Sequence, residues 1–177
     1  MKLTTKEITI FALLGAIMFS SKKLMEILPN VHLLGLIIVT MTVVYRQKAL
    51  YPLYVYVLLD GIFAGFATWW LPYLYIWTVL WGATMLIPRR LPKRVAFVVY
   101  ILVSGLHGLA FGTLYAPFQA IVYGLDFEGF IAWIVAGLPY DAIHGLSNAI
   151  MATLVIPLTK LFKKFGGLSG SMEKVTL

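Results

Sequence analysis

The hydrophobic positions of this chain form long apolar stretches, and short breaks rich in proline, charge or small polar side chains separate them. A helix needs about 20 apolar residues to cross a bilayer, and several stretches approach that length. The predicted helices cover residues 5–28, 32–45, 49–67, 73–87, 95–115 and 139–162. A further apolar stretch, 130–138, is too short to cross by itself. The pattern therefore predicts an all-α membrane protein, with one six-helix transmembrane domain over 1–165 and a flexible tail over 166–177.

Composition supports a membrane protein and excludes several kinds of site. Of the 177 residues, 61% are hydrophobic and 12% are charged, whereas a soluble domain carries about 25% charged residues. The absence of cysteine excludes disulfides, thiolate metal ligands and a cysteine nucleophile. The chain has no phosphate-binding glycine loop and no paired metal-ligand motif. We therefore expect no enzymatic activity, no catalytic residues, no metal and no cofactor in this chain.

The basic residues predict the orientation of the helices. Two lie at the start of the first predicted helix, two follow the second, four follow the fourth and four follow the sixth. They are Lys2, Lys6, Arg46, Lys48, Arg89, Arg90, Lys93, Arg94, Lys160, Lys163, Lys164 and Lys174. Of the 14 basic residues, six alternating helices leave only Lys22 and Lys23 towards the opposite side and place all twelve of these on one side, whereas five or seven helices would scatter them. By the positive-inside rule that side is cytoplasmic, so the pattern predicts a multi-pass plasma-membrane protein with both termini and the tail in the cytoplasm.

The last predicted helix carries three polar residues on one face. Asp141, His144 and Asn148 are spaced by three and four residues, which aligns them along one side of a helix. A charged side chain at the centre of a bilayer costs at least about 2.5 kcal/mol, so such residues usually face the interior of a bundle. They either bind a small ligand or hydrogen-bond to neighbouring helices. Three polar groups on one face favour a binding site.

Other candidate residues come from the neighbouring helices and loops. Asp60 and His107 lie at a similar depth, where each is equally consistent with a ligand contact or an interhelical hydrogen bond. The aromatic turn between the third and fourth helices either forms an interfacial belt or stacks on a planar ligand. Lys22 is spaced to pair with Glu26, and it either snorkels to the interface or meets an anionic ligand group. The candidate substrate-binding residues are Asn30, His32, Asp60, Trp69, Trp70, Tyr73, Trp77, His107, Tyr140, Asp141, His144 and Asn148.

Small residues four positions apart predict close contacts between helices, as at Gly108 with Gly112 and at Ala12 with Ala16. The Ala12 and Ala16 pair, the segment 28–33 (Leu-Pro-Asn-Val-His-Leu) and the segment 137–141 (Gly-Leu-Pro-Tyr-Asp) followed by His144 and Asn148 together carry a family resemblance. The chain resembles the S components of energy-coupling factor (ECF) transporters, which are vitamin importers of prokaryotes. The resemblance covers nearly the whole chain.

The resemblance implies a high-affinity substrate-binding subunit of an ATP-driven importer for a vitamin or similar micronutrient. It implies that the ligand binds near the outer face, through helices four to six and the connection between the first two helices. The face of Ala12 and Ala16 would dock on the transmembrane coupling subunit, which carries two ATPase subunits. The S component would then topple in the membrane and release its ligand inward.

Three other functions are also consistent with the sequence. A stand-alone secondary transporter would move a small solute without an ATPase. An intramembrane enzyme would use Asp141, His144 and His107 as acid and base groups on a lipid-linked or isoprenoid substrate. A membrane scaffold would use its polar residues only to bridge helices. No basic face suited to nucleic acid is present.

Overall fold

The structure is a computed structural model that describes residues 2–166, and these residues form helices without β-strands. Gly166 closes the last helix, and the remainder of the predicted tail, 167–177, lies outside the described residues. The α-helices are α1 (Thr5–Leu24), α2 (Leu34–Tyr45), α3 (Leu50–Ala64), α4 (Tyr73–Met85), α5 (Lys93–Leu109), α6 (Phe111–Tyr123), α7 (Phe127–Ala152) and α8 (Val155–Gly166). A short 3₁₀ helix, Arg46–Ala49, joins α2 to α3.

Within residues 2–166, two helical segments are long and apolar enough to cross a membrane. One is the consecutive pair α5 and α6, which spans Lys93–Tyr123, and the other is α7. Only 17% of the most apolar part of α7 is buried within the protein. Large exposed side chains follow α5 at helical spacing, namely Val95, Val98, Leu102, Leu106 and Leu109. Soluble monomers rarely expose such continuous apolar stripes, so this outer surface suggests association with a membrane.

Helix α2 is the central helix of the bundle. Every residue in it except Val43 is buried, and it contacts α1, α4, α5, α7 and α8. A helix that is apolar on all sides is stable where other helices surround it. Its buried Thr42 hydroxyl donates to the Ile38 carbonyl at 2.7 Å, which satisfies that polar group inside the helix. The other helices therefore pack around α2.

Glycine allows two pairs of helices to approach closely. A Cβ atom added at Gly108 of α5 would lie 2.8 Å from the Gly145 backbone of α7. Similarly, a Cβ atom at Gly15 of α1 would overlap the Val55 side chain of α3. Neither helix pair could keep its present spacing with a larger residue at these positions.

The starts and ends of the helices meet in two groups, one at each end of the bundle. At the basic end, Lys48 forms an ion pair with Glu7 in the first turn of α1. The Arg46 side chain donates to the Met85 carbonyl at the end of α4, at 2.6 Å, and the ring of Tyr45 lies 6.4 Å from that of Phe162 in α8. The start of α1 therefore lies beside the ends of α2, α4 and α8, which brings together basic residues from separate parts of the chain.

The opposite end is joined by different contacts. Lys22 in the last turn of α1 pairs with Asp60 near the end of α3, at 2.5 Å. The Tyr115 hydroxyl of α6 donates to the Trp69 carbonyl in the α3–α4 connection, at 2.7 Å. We call this end, which lies opposite the basic end, the outer end of the bundle.

The structure corrects the predicted start of the last helix. The prediction began this helix at Pro139, because proline is common in a first turn. Instead α7 begins at Phe127, where the Asp126 side chain accepts a hydrogen bond from the Gly129 N–H at 2.8 Å. Pro139 lies inside the helix, and the apolar stretch 130–138 forms its first half. The predicted helix also ends too late, because α7 stops at Ala152 and α8 begins separately at Val155.

Other predicted boundaries are also wrong by several residues. Helix α1 ends at Leu24 rather than at residue 28, and α3 ends at Ala64 because Gly65 takes a φ of 90° that a helix cannot continue. The predicted helix 95–115 is divided, since α5 ends at Leu109 and α6 continues to Tyr123. Pro117 lies within α6, where the prediction expected a disturbance.

Replacing Gly108 with alanine tests the close approach of α5 and α7. The added methyl would lie 2.8 Å from backbone atoms of α7, which cannot move like a flexible side chain. We expect Gly108→Ala to lower the free energy of unfolding by about 1–3 kcal/mol, as overpacking does. Thermal unfolding in detergent, followed by tryptophan fluorescence, measures the change.

Gly82→Ala in α4 is the matched control, because nothing lies within 4 Å of its added Cβ atom. Alanine is favoured over glycine inside a helix by roughly 0.5–1 kcal/mol. We therefore expect Gly82→Ala to unfold at the wild-type temperature or above it. Equal unfolding temperatures for the two variants would show that α5 and α7 do not depend on the glycine contact.

Candidate functional site

Aromatic and polar side chains gather inside the bundle towards its outer end. We call this group the inner cluster. Its members are His32, Tyr56, Asp60, Tyr73, Trp77, His107, Phe111, His144 and Asn148. They come from the α1–α2 connection and from α3, α4, α5, α6 and α7, so the fold brings together parts of the chain that are distant in sequence.

Trp77 lies at the centre of the inner cluster. Its side chain is 1% exposed. Its ring centroid lies 5.4 Å from that of Phe111, 5.7 Å from His32, 5.8 Å from both Tyr73 and His107, and 6.3 Å from Tyr56. Separations of 4.5–7 Å are those of aromatic rings in favourable contact. One indole of α4 therefore contacts the ring of Tyr73 in its own helix and rings from four other segments.

Two histidines face each other beside this tryptophan. The rings of His32 and His144 lie 4.8 Å apart, nearly perpendicular to each other, and the ring of Phe111 lies 4.8 Å from that of His144. Both nitrogens of His144 are buried and have no hydrogen-bond partner among the described residues. The Nδ1 atom of His32 is likewise buried without a partner within the described part of the chain. This histidine pair therefore offers both hydrogen-bond donors and acceptors.

Asn148 lies one helical turn along α7 from His144 and is fully buried. Its amide packs against Gly35 of α2, where an added Cβ atom would lie 2.8 Å from the Asn148 Oδ1 atom. Glycine at position 35 therefore makes room for this amide. Neither the oxygen nor the nitrogen of the amide has a hydrogen-bond partner in residues 2–166.

The hydrogen-bonding role of His107 follows from its partner. Its Nε2 atom lies 3.0 Å from the Ile76 carbonyl oxygen, which can only accept, so Nε2 carries the hydrogen. In the neutral ring, Nδ1 is then an acceptor, and it has no partner among the residues described. The Trp77 Nε1–H group is a buried donor that likewise has no partner among the described residues. The cluster thus presents an acceptor and a donor beside rings that are already in contact.

Unpartnered nitrogen atoms are concentrated in the inner cluster. Apart from Nε of Arg46, every buried side-chain nitrogen without a partner in the described residues belongs to it. A buried polar atom left unsatisfied costs about 1–3 kcal/mol. Their concentration in one place, among aromatic rings, makes the inner cluster the candidate site for a small ligand.

An ion pair borders the inner cluster. Lys22 Nζ lies 2.5 Å from Asp60 Oδ2, and the Asp60 side chain is fully buried while that of Lys22 is 18% exposed. The same ammonium lies 5.0 Å from the ring centroid of Tyr73 and 5.7 Å from that of Trp69, which is within cation–π range. The expected pairing of Lys22 with Glu26 is wrong, because Glu26 pairs with Lys23 at 2.7 Å.

The structure brings seven of the candidate residues into the inner cluster. These are His32, Asp60, Tyr73, Trp77, His107, His144 and Asn148. Trp69 lies at its edge, where it contacts the ring of Tyr73 and the ammonium of Lys22.

The other four candidates lie outside the inner cluster. Tyr140 is 57% exposed on the outer surface of α7. Trp70 donates its ring N–H to the Val57 carbonyl at 2.7 Å. Asn30 lies in the α1–α2 connection with a positive φ of 59°, a conformation that asparagine tolerates better than most residues. The Asp141 carboxylate accepts from the Gly112 N–H at 2.9 and 3.1 Å, which caps the start of α6.

Two members of the inner cluster were not among the candidates. Tyr56 lies four residues before Asp60 in α3, and Phe111 lies four residues after His107. Residues at that spacing share a helix face, so each aromatic ring could have been placed beside its polar neighbour. The packing between helices, which decides which of these faces point inward together, has no signal in this single sequence.

The predicted docking pair lies on the outside of α1. Ala12 is exposed and Ala16 is half-buried. The large apolar residues Leu13 and Ile17 beside them are also exposed. Within the described residues this part of α1 is largely exposed and apolar, and its alanines leave room for another helix to approach closely.

A small cleft, with a cavity volume of about 10 Å³, lies at the basic end between Arg46, Thr84, Arg89 and Tyr100. Arg46 adopts a strained φ of 54° there. Its carbonyl accepts from the Trp81 ring N–H at 3.1 Å, and its guanidinium donates to Met85. These contacts fix the α2–α3 connection to α4, so the cleft is the weaker candidate for a ligand site.

The described residues contain no group of three or more histidine, cysteine, aspartate or glutamate side chains placed to hold a metal ion. Comparison of the chain with protein-family models, with curated proteins and with solved structures finds no match. The inner cluster is therefore interpreted from its own chemistry.

The Asp141 cap generates a stability prediction. Replacing Asp141 with alanine leaves the Gly112 N–H, in the first turn of α6, without its acceptor inside the bundle. We expect Asp141→Ala to lower the free energy of unfolding by about 1–3 kcal/mol. Asp141→Asn keeps an acceptor oxygen, so its loss of unfolding free energy should be less than half of that in Asp141→Ala. Chemical or thermal unfolding in detergent measures both, and equal losses would argue against the capping role.

Proposed function

We propose that this chain is the substrate-binding subunit of an ATP-driven importer of the ECF type, which captures a vitamin or similar micronutrient at the outer face of a prokaryotic plasma membrane. The observation that carries the proposal is the inner cluster. It places unpartnered donors and acceptors among aromatic rings inside a bundle whose outer surface is apolar. Such a combination suits a small planar ligand that both stacks and hydrogen-bonds.

A topology of six membrane passes is part of the proposal. The passes would be α1, α2, α3, α4, the pair α5 and α6, and the pair α7 and α8. Support comes from the grouping of helix ends, since the basic clusters meet at one end and the inner cluster lies towards the other. The positive-inside rule then places the basic end and both termini in the cytoplasm, and the inner cluster towards the outside.

The α1–α2 connection is the proposed entrance for the ligand. His32 belongs to this connection and covers the cluster through its contacts with Trp77 and His144. The connection has exposed apolar residues, of which Ile27 is 89% exposed, and it lacks regular helix. Moving it outward would carry His32 away and open the rings of Trp77 and His144 to a ligand. The ligand would then replace ring contacts and satisfy the unpartnered atoms.

Partner subunits would supply the energy for transport. The exposed face with Ala12 and Ala16 suits a helix of the transmembrane coupling subunit, as the family resemblance implies. ATP hydrolysis is assigned to two ATPase subunits bound to that partner. Toppling in the membrane, also implied by the resemblance, would carry the loaded site to the cytoplasmic side.

The intramembrane enzyme is less well supported than a binding subunit. Its acid and base groups would be Asp141, His144 and His107. Asp141 instead caps α6, and no described carboxylate forms a hydrogen bond with His144. A stand-alone secondary transporter would use the same site, and it would differ by moving its solute into liposomes without the ATPase subunits.

Loss of the unpartnered polar groups should weaken ligand binding. Mass spectrometry of the compound that co-purifies in mild detergent identifies the ligand, and titration calorimetry then measures its affinity. We expect His144→Ala and Asn148→Ala each to lower the affinity about tenfold, because each leaves a buried polar group of the ligand without its partner, which costs about 1–3 kcal/mol, and 1.4 kcal/mol is tenfold.

Leu146→Ala is the matched control for these variants, since Leu146 lies on the same helix between them and is exposed on its outer side. It should bind the ligand with wild-type affinity. Unchanged affinity in both His144→Ala and Asn148→Ala would remove the inner cluster from the proposed site.

The absence of cysteine allows a direct test of the topology. A single cysteine at Ile27→Cys, in the α1–α2 connection, should react with a membrane-impermeant maleimide on intact cells. A single cysteine at Gln47→Cys, at the basic end, should react only after the membrane is opened. Both native residues are exposed, so accessibility within the protein does not limit either reaction. Labelling of both positions from the same side would contradict six alternating passes.

A further inference from the structure

The charges around the inner cluster are balanced by the protein itself. Asp60 is paired with Lys22, and Lys23 at the same end of α1 is paired with Glu26. Among the described residues, no other lysine or arginine lies at the outer end of the bundle. An incoming ligand therefore finds no cation without a partner there.

We propose that the ligand is an uncharged, planar nitrogen heterocycle whose edge carries both hydrogen-bond donors and acceptors, as in a lactam ring. This inference rests on the proposed function and concerns the same site. It follows from three features of the inner cluster, namely its balanced charge, its mixed set of unpartnered atoms and its aromatic rings.

An anionic ligand would have to take Lys22 from Asp60. Lys22 Nζ lies 2.5 Å from the carboxylate, and Asp60 is fully buried. Breaking a buried pair leaves an uncompensated charge, which is strongly unfavourable. The gain from a new pair with the ligand would therefore be offset by the loss of the old one, so a carboxylate or phosphate on the ligand brings little net affinity.

A cationic ligand meets the opposite difficulty. The rings of Tyr73 and Trp69 could attract a cation, but the ammonium of Lys22 already lies 5.0 Å from the first and 5.7 Å from the second. A second positive charge at these rings would be repelled by Lys22. The one buried carboxylate of the inner cluster is already neutralised by the same lysine. The ion pair of Lys22 with Asp60 therefore disfavours both anionic and cationic ligands.

The unpartnered atoms specify the edge of the ligand. Trp77 Nε1–H is a donor and requires a ligand acceptor, whereas Nδ1 of the neutral His107 ring is an acceptor and requires a ligand N–H or O–H. Asn148 offers both roles from one amide, as asparagine does when it binds the edge of a nitrogen heterocycle with two hydrogen bonds. A ligand with only acceptors, or only donors, would leave some of these groups unsatisfied.

Matched small molecules of different charge provide the test. Ligand-free protein in lipid nanodiscs is titrated with nicotinamide, nicotinate and 1-methylnicotinamide, which share one ring and carry no charge, a negative charge and a positive charge. Uracil and its 6-carboxylate form a second matched set. We expect the neutral member of each set to bind at least tenfold more tightly than its charged counterparts. Tighter binding of a charged member in either set would overturn the inference.

Two variants test whether the ion pair sets this preference. Asp60→Asn leaves the Lys22 ammonium without its counter-charge, so the preference for the neutral over the anionic probe should fall at least tenfold. The double variant Lys22→Gln with Asp60→Asn removes both charges and should restore the preference for the neutral probe. The double variant also keeps the test valid if Asp60→Asn alone fails to fold. A double variant that binds the anion more tightly would contradict the role of the pair.

The compound extracted from wild-type protein separates failure of this inference from failure of the proposed function. A neutral nitrogen heterocycle in the extract, identified by mass spectrometry, supports both. A carboxylate, phosphate or cationic compound would overturn the ligand class while leaving the binding function in place. An empty extract, together with no binding of any probe, would overturn the proposed binding function and the ligand class with it.

Discussion

Burial of polar groups in an apolar bundle is the constraint on which the rest of this structure depends. Helices usually satisfy such groups internally, as Thr42 and Thr84 do by donating to the carbonyl four residues earlier. The inner cluster does not follow this pattern, since the nitrogens of His144 and Asn148 have no partner in the described chain. A chain that placed these groups together for structure alone would be expected to pair them with each other. The ligand of the proposed function would supply the partners that the described chain does not.

The two ends of the bundle are built differently, and the difference suits the proposed function. At the basic end, Arg46 is fixed by hydrogen bonds through its side chain and its carbonyl, even though its backbone is strained. At the outer end, His32 is held by ring contacts in a connection without regular helix. Ring contacts are less directional than hydrogen bonds, so this connection can move without breaking a hydrogen-bond network. In the proposed function, the mobile connection would cover the site at the end where the ligand enters, and the basic end would stay fixed.

The sequence predicted those features that depend on spacing within one helix. His144 and Asn148 share a face of α7 because they are four residues apart, and the structure places both in the inner cluster. Asp141 shares the same face but caps α6, and this outcome depends on where α6 begins relative to α7. The partner of Lys22 was predicted from spacing as Glu26, whereas the fold brings Asp60 within 2.5 Å. Contacts between distant segments depend on how the helices pack against each other. The spacing of residues within one helix carries no information about that packing.

Helix α1 connects the proposed site to the proposed partner surface. Its last turn carries Lys22, which is paired with Asp60 at the border of the inner cluster, and the chain continues from there to His32. Its middle carries Ala12 and Ala16 on the outer face, while Gly15 packs tightly against α3. A ligand that changes the position of His32 or the Lys22 pair therefore acts on the same element that a coupling subunit would contact. An uncharged ligand would leave that ion pair intact, so the position of the connection, rather than the breaking of the pair, would distinguish the loaded state from the empty one.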